Sequence, residues 1–238
     1  MTFWSPSYIS GQLQQNGSGF EGRLNMYKML NIKNWERKDQ FSFFKDFDNP
    51  FFNICTEVDV TELHAFAEAE ELSFFITSLY ASLKTANIVE EFRYRIRDNG
   101  VIIYDEIHAG STVLNEDDTF SFCFFPFKTS FDEFNIEAKQ LLQDISLQKE
   151  ILNPRTNQDN LIHYSVIPWI SFFSISHARK FRTNDSIPKI VFGKFNKKDN
   201  RLKMPISIEV HHSLIDGVHV SKYLNKFQEI LDEPKRYL

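Results

Sequence analysis

Cysteine and glycine are both scarce in this chain. The 238 residues include two cysteines, Cys55 and Cys123, and eight glycines. Two thiols are too few for a disulfide framework or a structural zinc site, and such low usage is typical of a reducing cytoplasm. No Walker loop and no dinucleotide-binding glycine pattern occurs, so the sequence excludes phosphate cradles of those kinds.

Long apolar runs, net positive charge and several catalytic motifs are also missing. No apolar run approaches the length of a membrane-spanning helix, and the net charge of −5 argues against a nucleic-acid surface. The Gly-x-Ser-x-Gly motif is absent. His211 and His212 would point to opposite faces of a strand and cannot readily share one metal. We therefore expect a cytoplasmic protein without a metal, a nucleic-acid partner or a membrane partner.

Residues 1–25 differ from the rest of the chain. The stretch from Ser10 to Arg23 is polar, rich in glycine and without periodicity, as linkers are. It lacks the basic start and the apolar stretch of a signal peptide. We interpret residues 1–25 as an expression leader or a disordered extension, with the native start at Met26 or Met29, and residues 26–238 as a single domain.

After residue 25, predicted strands alternate with a few helices. Period-two alternation predicts strands, and spacings of three to four residues predict helices. The strands are Phe52–Val60, Thr119–Phe125, a bent strand at Leu161–Ser176, Ile190–Phe195 and Leu202–His211, with a hairpin turn at residues 98–100. The helices cover Leu72 to Asn87, Ser130 to Ile151, and the segment after Gly217. This order describes one α/β domain with a mixed sheet.

The most informative segment runs from Met204 to Gly217. Four of its side chains recur with period two and would share one face of a strand: Ile206, Ile208, Val210 and His212. His212 would thus end an apolar row, with Asp216 in the following turn. A partly desolvated histidine beside a carboxylate is what a general base needs near neutral pH. A lone histidine would more simply be a buried structural residue, but the complete His-His-x-x-x-Asp-Gly pattern favours the base.

The segment His211–Gly217 resembles the signature of the CoA-dependent acyltransferase superfamily. Within that group, three further segments are similar to chloramphenicol acetyltransferases: Asn34–Phe41 (Asn-Trp-Glu-Arg-Lys-x-x-Phe), Ser165–Trp169 (Ser-Val-Ile-Pro-Trp) and Gly193–Phe195. The likeness keeps the same order from about Met29 to the end. It implies a two-layer α/β sandwich whose mixed sheet carries helices mainly on one face.

The resemblance implies catalytic roles for four residues. His212 matches the base that takes the proton of an acceptor's primary hydroxyl while the oxygen attacks acetyl-CoA in a ternary complex. Ser165 matches the serine that stabilises the tetrahedral oxyanion. Asp216 and Arg37 match a buried ion pair that holds the turn after the base. Without the resemblance, Arg37 would be taken as an exposed cation and Ser165 as a strand serine bonded to backbone.

Other positions are implied to bind the two substrates. Lys194 lies in the region that binds acetyl-CoA, the co-substrate, and would contact its phosphates. Phe44 and Phe52 match aromatic positions of the acceptor pocket, and Trp169 belongs either to the pocket or to the core. The family forms homotrimers with each active site at a subunit interface. Some of the 25 phenylalanines would then pack at the subunit interface and not only in the core.

The acceptor pocket departs from the family pattern. Leu114 replaces a frequent Phe, His163 replaces a usual Asn, and Val191 stands where a Thr is common. His177 and Arg179 occupy positions that are apolar in drug-modifying members, and an unpaired cation in an apolar pocket is costly. We expect either that these two side chains turn to solvent or that the acceptor is more polar or anionic.

The sequence therefore predicts an O-acetyltransferase acting on chloramphenicol or a similar small molecule with a hydroxyl group. A second interpretation keeps acetyl-CoA and changes the acceptor to a more polar one. A third is a catalytically silent trimeric homologue that only binds a ligand. The joint presence of His212, Ser165, Asp216 and Arg37 speaks against the third.

Overall fold

The computed structural model describes residues 27–148, 158–179 and 185–238. Within these ranges the strands are β1 Tyr27–Met29, β2 Phe51–Asp59, β3 Tyr94–Arg97, β4 Gly100–Tyr104, β5 His108–Leu114, β6 Phe120–Phe125, β7 Leu161–Ile167, β8 Lys189–Gly193, β9 Asn196–Lys198 and β10 Arg201–His211. The helices are α1 Lys38–Phe44, α2 Thr61–Ala69, α3 Phe74–Ile88, α4 Phe131–Gln148, α5 Gly217–Asp232 and α6 Pro234–Tyr237. No helix in these ranges is long and apolar enough to cross a membrane. The predicted leader, residues 1–25, lies outside them.

The larger sheet mixes parallel and antiparallel pairs. Its strand order is β2-β10-β8-β7-β5-β6, with β9 paired to β10. The β5–β7 and β7–β8 pairs are parallel, and the remaining pairs are antiparallel. A smaller sheet, β1-β4-β3, contains the predicted hairpin. Its turn residues Asp98 and Asn99 have φ angles of 49° and 61°, as a two-residue hairpin turn requires.

Helices pack on one face of the larger sheet. Phe192 of β8 meets Phe227 of α5 with ring centroids 6.2 Å apart. Tyr164 of β7 bonds through its hydroxyl to Ser82 of α3 at 3.0 Å. Tyr164 lies opposite Ile190 in the parallel register, two residues before Phe192, so these contacts share one face. The predicted two-layer α/β sandwich with a mixed sheet is confirmed.

The opposite face is crossed by residues 168–179, which we call the crossing segment. Its Phe172 lies against Gly193 of β8, and its Ile175 carbonyl accepts a 2.7 Å hydrogen bond from Asn53 of β2. The predicted bent strand at Leu161–Ser176 is therefore wrong beyond Ile167. Pro168 has no N–H to donate to a ladder, and the strand ends immediately before it.

Gly193 is required where β8 passes beneath the crossing segment. A Cβ there would lie 2.6 Å from Cγ of Pro205 and 2.8 Å from Cε1 of Phe172. We expect Gly193→Ala to lower the free energy of unfolding by about 1–3 kcal/mol, measured by urea denaturation. The control is Gly110→Ala, whose Cβ would meet Leu161 at an ordinary 3.5 Å. That variant should be neutral or more stable, because alanine restricts the unfolded chain; an equal loss in both would contradict the packing argument.

Candidate active site

His212 lies one residue beyond the end of β10. Its N–H donates to the Pro50 carbonyl at 2.8 Å, so pairing with the chain before β2 continues through this residue. The imidazole stacks on Phe44, with centroids 4.0 Å apart and planes at 7°, and the Phe52 ring lies 4.7 Å away. Nδ1 is buried, whereas the whole side chain keeps 35% of its exposure. The open edge of the ring therefore carries Nε2.

An ion pair fixes the turn that follows His212. Arg37, the residue before α1, donates from both terminal nitrogens to the two carboxylate oxygens of Asp216, and the bond to Oδ1 is 3.1 Å long. One of those nitrogens also donates to the His212 carbonyl at 3.2 Å. Burial alone would raise the pKa of Asp216, but the hydrogen bond and charge of Arg37 hold it below its usual 3.8. The carboxylate is therefore ionised at neutral pH.

The Asp216 carboxylate also faces the imidazole. Its Oδ1 lies 3.1 Å from His212 Nδ1, across the turn. The contact is an ion pair only when the ring is protonated, and Nδ1 makes no hydrogen bond to the residues that the structure describes. A proton taken up at Nε2 would make the ring a cation beside this anion. The turn thus combines an open nitrogen with a fixed negative charge behind it, as a general base requires.

The neighbouring His211 is a structural residue. Its Nδ1 lies 2.8 Å from the Ser213 hydroxyl and accepts from the Ser213 N–H at 3.3 Å. Burial lowers the pKa of His211 to about 4, so the ring is neutral at pH 7. It braces the same turn from the inside and offers no second base.

Ser165 and His212 do not converge within one chain. Ser165 lies opposite Val191, and Val191 lies opposite Ser207, five residues before His212. Two strand spacings and five residues of strand separate the two side chains by roughly 19 Å. They also point to opposite faces, because Ser207 and His212 differ by an odd number of positions. In its own chain, Ser165 has Thr112 as neighbour, with 3.5 Å between the hydroxyl oxygens.

The six predicted acceptor-pocket residues fall into two groups. Phe44 and Phe52 contact the His212 ring. The other four lie on the Ser165 face or in the crossing segment: Leu114, His163, Trp169 and His177. Leu114 and Trp169 are mostly exposed. A single copy of the chain therefore presents two half-pockets on different sides of the sheet.

Polar side chains line the sheet beside Ser165. His163 lies two residues before Ser165 and pairs with Lys189 of β8. On the next two strands, Glu209 of β10 pairs with Lys189, and Asn53 of β2 pairs with Glu209. We call these four residues the polar row. Burial lowers the pKa of His163 to about 4, so this ring is neutral. The surface next to the predicted oxyanion serine is thus built for hydrogen bonding rather than for apolar contact.

Arg179 is buried above the polar row. Its Nε donates to Glu209 at 2.5 Å, and another nitrogen donates to Asp185 at 2.9 Å. The guanidinium carbon lies 3.2 Å from the centroid of Phe51. With 8% of its side chain exposed and two carboxylate partners, Arg179 is neither unpaired nor turned to solvent. Of the two alternatives given for Arg179, the one in which it turns to solvent is wrong, because Glu209 of β10 neutralises it within the chain.

His177 is only partly covered. Its Nε2 is buried and makes no hydrogen bond to the described residues. Burial lowers the pKa of His177 despite the nearby Glu209, which favours the neutral ring. The imidazole therefore keeps an unused donor or acceptor close to Arg179. Val191, the remaining departure, is fully buried in the middle of the sheet.

A cavity of about 280 Å³ opens beside Lys194. Its walls are mostly apolar and come from α3, β7, β8 and β10: Phe74, Phe75, Ser78, Val166, Pro168, Phe192, Gly193, Lys194, Phe195 and Met204. The Ser78 hydroxyl is buried and makes no hydrogen bond to the described residues. An apolar slot with one unused hydroxyl and one cation suits a long, mostly apolar chain that carries amides and ends in phosphate.

Two residues that adjoin the site were not predicted from the sequence. His219 accepts a hydrogen bond from the Asp216 N–H, and Glu91 faces His219 from a neighbouring element. A sequence signal for His219 does exist, since it stands three positions after Asp216, where capping boxes place their second member. Glu91 has no such signal, because it is 128 positions away from His219 along the chain.

Solved structures share this fold. A catalytic domain of dihydrolipoamide acetyltransferase from Azotobacter vinelandii superposes with a TM-score of 0.64, at 18% identity, over 84% of this chain and 88% of that one. A chloramphenicol acetyltransferase structure superposes with a TM-score of 0.80, at 35% identity, over 87% of this chain and 100% of that one. The sheet and helices are therefore arranged as in acyltransferase cores.

Sequence comparison identifies the family. The family model described as chloramphenicol acetyltransferase matches residues 25–228. Chloramphenicol acetyltransferase 3 of Escherichia coli is 25% identical over 86% of this chain and 96% of its own length. The enzyme of Staphylococcus aureus is 27% identical over 89% and 99%. The chain belongs to the chloramphenicol acetyltransferase family, and the prediction of an acetyl-CoA-dependent acetyltransferase is confirmed.

Arg37 should stabilise the fold through its pair with Asp216. Arg37→Met leaves a half-buried carboxylate without its main partner, so the free energy of unfolding at pH 7 should fall by about 1–3 kcal/mol. Because the folded pKa of Asp216 is lowered, the contribution of the pair is present above pH 3.8 and is lost as pH falls through that lowered pKa. The difference between variant and wild type should therefore shrink in acid, as followed by urea denaturation at several pH values.

The matched control is Arg236→Met, which removes an exposed Arg–Glu pair with Glu233. Exposed pairs contribute little, so this variant should unfold like the wild type. Equal stability of the Arg37 and Arg236 variants would contradict the assignment.

Proposed function

We propose that this protein transfers the acetyl group of acetyl-CoA to the primary hydroxyl of chloramphenicol, with His212 as general base in a ternary complex. One observation carries the proposal: Nδ1 of His212 is held against the Asp216 carboxylate while Nε2 is open. Family membership supplies the reaction class. The geometry of His212 supports a base in this orientation.

The proposed reaction needs one proton carrier and one oxyanion donor. Nε2 of His212 takes the acceptor's hydroxyl proton as the oxygen attacks the thioester carbonyl, and the ring cation is stabilised by Asp216. The Ser165 hydroxyl donates to the tetrahedral oxyanion. Collapse of the intermediate breaks the C–S bond, and the departing CoA sulfur receives the proton from His212. The His212 imidazole is then neutral again, and no acyl-enzyme forms.

We assign the cavity beside Lys194 to acetyl-CoA. Its apolar walls suit the pantetheine arm, and the unused Ser78 hydroxyl suits one of that arm's amides. Lys194 is exposed at this cavity, where its ammonium suits a phosphate. Pro168 and Val166 line the same cavity and flank the Ser165 strand end. The cavity lies between α3 and the helix-covered face of the sheet at the end of β7, so the thioester would reach Ser165 around that strand end.

The active site would be shared between copies of the chain in a homotrimer. His212 and Ser165 lie on opposite faces of one sheet, so both reach one carbonyl only if they come from different chains. Large apolar side chains are exposed on or beside the Ser165 face, as an interface requires: Leu114, Phe120, Phe122, Trp169, Ile170 and Phe173. We expect this assembly in the cytoplasm.

A second candidate function keeps the reaction and changes the acceptor. His177 and Arg179 stand where drug-modifying members of the family have apolar groups, and the polar row adds hydrogen-bonding groups beside them. Arg179 and Lys189 are balanced by Asp185 and Glu209, so the wall offers hydrogen bonds without net charge. A neutral alcohol with several polar groups would satisfy it better than an anion would. This observation favours a polyhydroxylated acceptor as the alternative to chloramphenicol.

Thiol release tests both candidates. Purified protein with acetyl-CoA should release CoA thiol when chloramphenicol is added, and His212→Ala should lower turnover on the order of 10²–10⁴-fold. The variant should stay folded by circular dichroism, because Nδ1 of the imidazole makes no hydrogen bond to the described residues and the ring is partly exposed. Release with sugars or other polar alcohols but not with the drug would favour the second candidate. Wild-type-like turnover in the alanine variant would rule out His212 as the base.

Mixing two inactive variants tests the shared site. His212→Ala and Ser165→Ala should each be nearly inactive as homo-oligomers. If each site takes its histidine from one chain and its serine from another, refolding an equal mixture should restore about one quarter of the sites by random assortment. The control mixes each variant only with itself. A mixture as inactive as its parents would contradict the shared site.

A further inference from the structure

His219 lies behind the turn that carries the base. It is the third residue of α5 and is 8% exposed. Its Nδ1 accepts a 2.9 Å hydrogen bond from the N–H of Asp216, the residue that caps this helix. The bond joins a buried imidazole to the backbone of the residue whose side chain faces His212.

The hydrogen bond fixes the tautomer of His219. An Nδ1 that accepts from an N–H carries no proton, so the ring hydrogen is on Nε2. Nε2 lies 3.4 Å from Oε1 of Glu91, in the 3-10 turn Glu90–Arg93. Burial lowers the pKa of His219, against the effect of Glu91, and keeps the ring neutral. Glu91 thus orients a histidine in the way that carboxylates orient metal-binding histidines.

The Asp216 carboxylate has partners on several sides of the turn. A capping aspartate ordinarily uses its side chain to accept from backbone N–H groups of the first helical turn. Here the N–H groups of His219 and Val220 donate to the Asp216 carbonyl at 3.0 and 3.1 Å. The carboxylate is bound by Arg37 and lies beside His212. Asp216 and His219 thus form a capping box, in which His219 holds the backbone of the residue whose carboxylate binds Arg37 and faces His212.

We propose that His219, oriented by Glu91, is a positioning residue for acetyl transfer. It holds the Asp216 backbone so that the carboxylate stays 3.1 Å behind the imidazole of His212. His219 touches neither substrate, and the inference rests on the proposed function of His212 as base. Small displacements of such a group are costly, because a misplacement of about 1 Å can slow a reaction on the order of 10²-fold.

The test compares two substitutions of equal size. His219→Asn keeps an acceptor at the place of Nδ1, whereas His219→Leu removes it. We expect His219→Leu to lower kcat on the order of 10–100-fold with the KM for acetyl-CoA unchanged within about twofold, and His219→Asn to keep kcat within about threefold of wild type. Lys222→Ala, which removes only an outer contact 3.5 Å from Glu91, is the control and should match wild type.

If His219 only stabilised the fold, the leucine and asparagine variants would not differ in kcat in this way. Wild-type kcat in the leucine variant, or an equal loss in the asparagine and leucine variants, would overturn the inference while leaving the base assignment intact. A wild-type protein that releases no thiol with any acceptor would overturn both. If the leucine variant does not fold, Glu91→Gln keeps the shape of the pair and removes its charge. It should then lower kcat on the order of fivefold, and an unchanged kcat would overturn the inference.

Discussion

The ion pair between Arg37 and Asp216 is the constraint on which the site depends. It joins the residue before α1 to the residue that caps α5, and these two residues are 179 positions apart in sequence. The pair sets where the chain turns after β10 and therefore where the His212 ring lies. It also keeps Asp216 ionised, so the imidazole faces a permanent anion. The N-terminus of α5, which carries partial positive charge, stabilises the same carboxylate.

The alternation of side chains along β-strands imposes the second constraint. One face of the sheet is buried under helices, and the other carries Ser165, the polar row and exposed aromatic rings. His212 continues the helix-covered row of Ile206, Ile208 and Val210, but it stands beyond the strand end, where the helices no longer cover it. The proposed base at the edge of one face and the proposed oxyanion donor on the other are separated by the sheet itself. Under the proposed mechanism, assembly is therefore part of the chemistry and not only of stability.

Local patterns predicted what depends on local geometry. The period-two row ending at His212, the hairpin at Asp98 and Asn99 and the mixed sheet all follow from side-chain alternation and turn preferences. The environment of Arg179 could not be predicted, because its partner Glu209 lies in β10, 30 positions further along the chain, and the sequence alone does not show that the two residues meet. The strand expected beyond Pro168 failed for a similar reason. The apolar residues after Pro168 pack on a face of the sheet, and a segment that packs in this way does not have to pair with a strand.

Charge balance gives the acceptor side its character. Arg179 and Lys189 meet Asp185 and Glu209, while burial keeps His163 and His177 neutral. A surface of this kind has no preference for a charged ligand. It binds weakly any group that cannot replace the hydrogen bonds which the surface makes to water. An apolar ring placed there would leave the Nε2 of His177 without a partner, whereas a hydroxyl or amide would satisfy it. Selectivity would therefore be set by where the acceptor's polar groups lie relative to its reacting hydroxyl. Under the proposed mechanism, the turn of His212 supplies the chemistry, and the polar row decides which alcohol receives it.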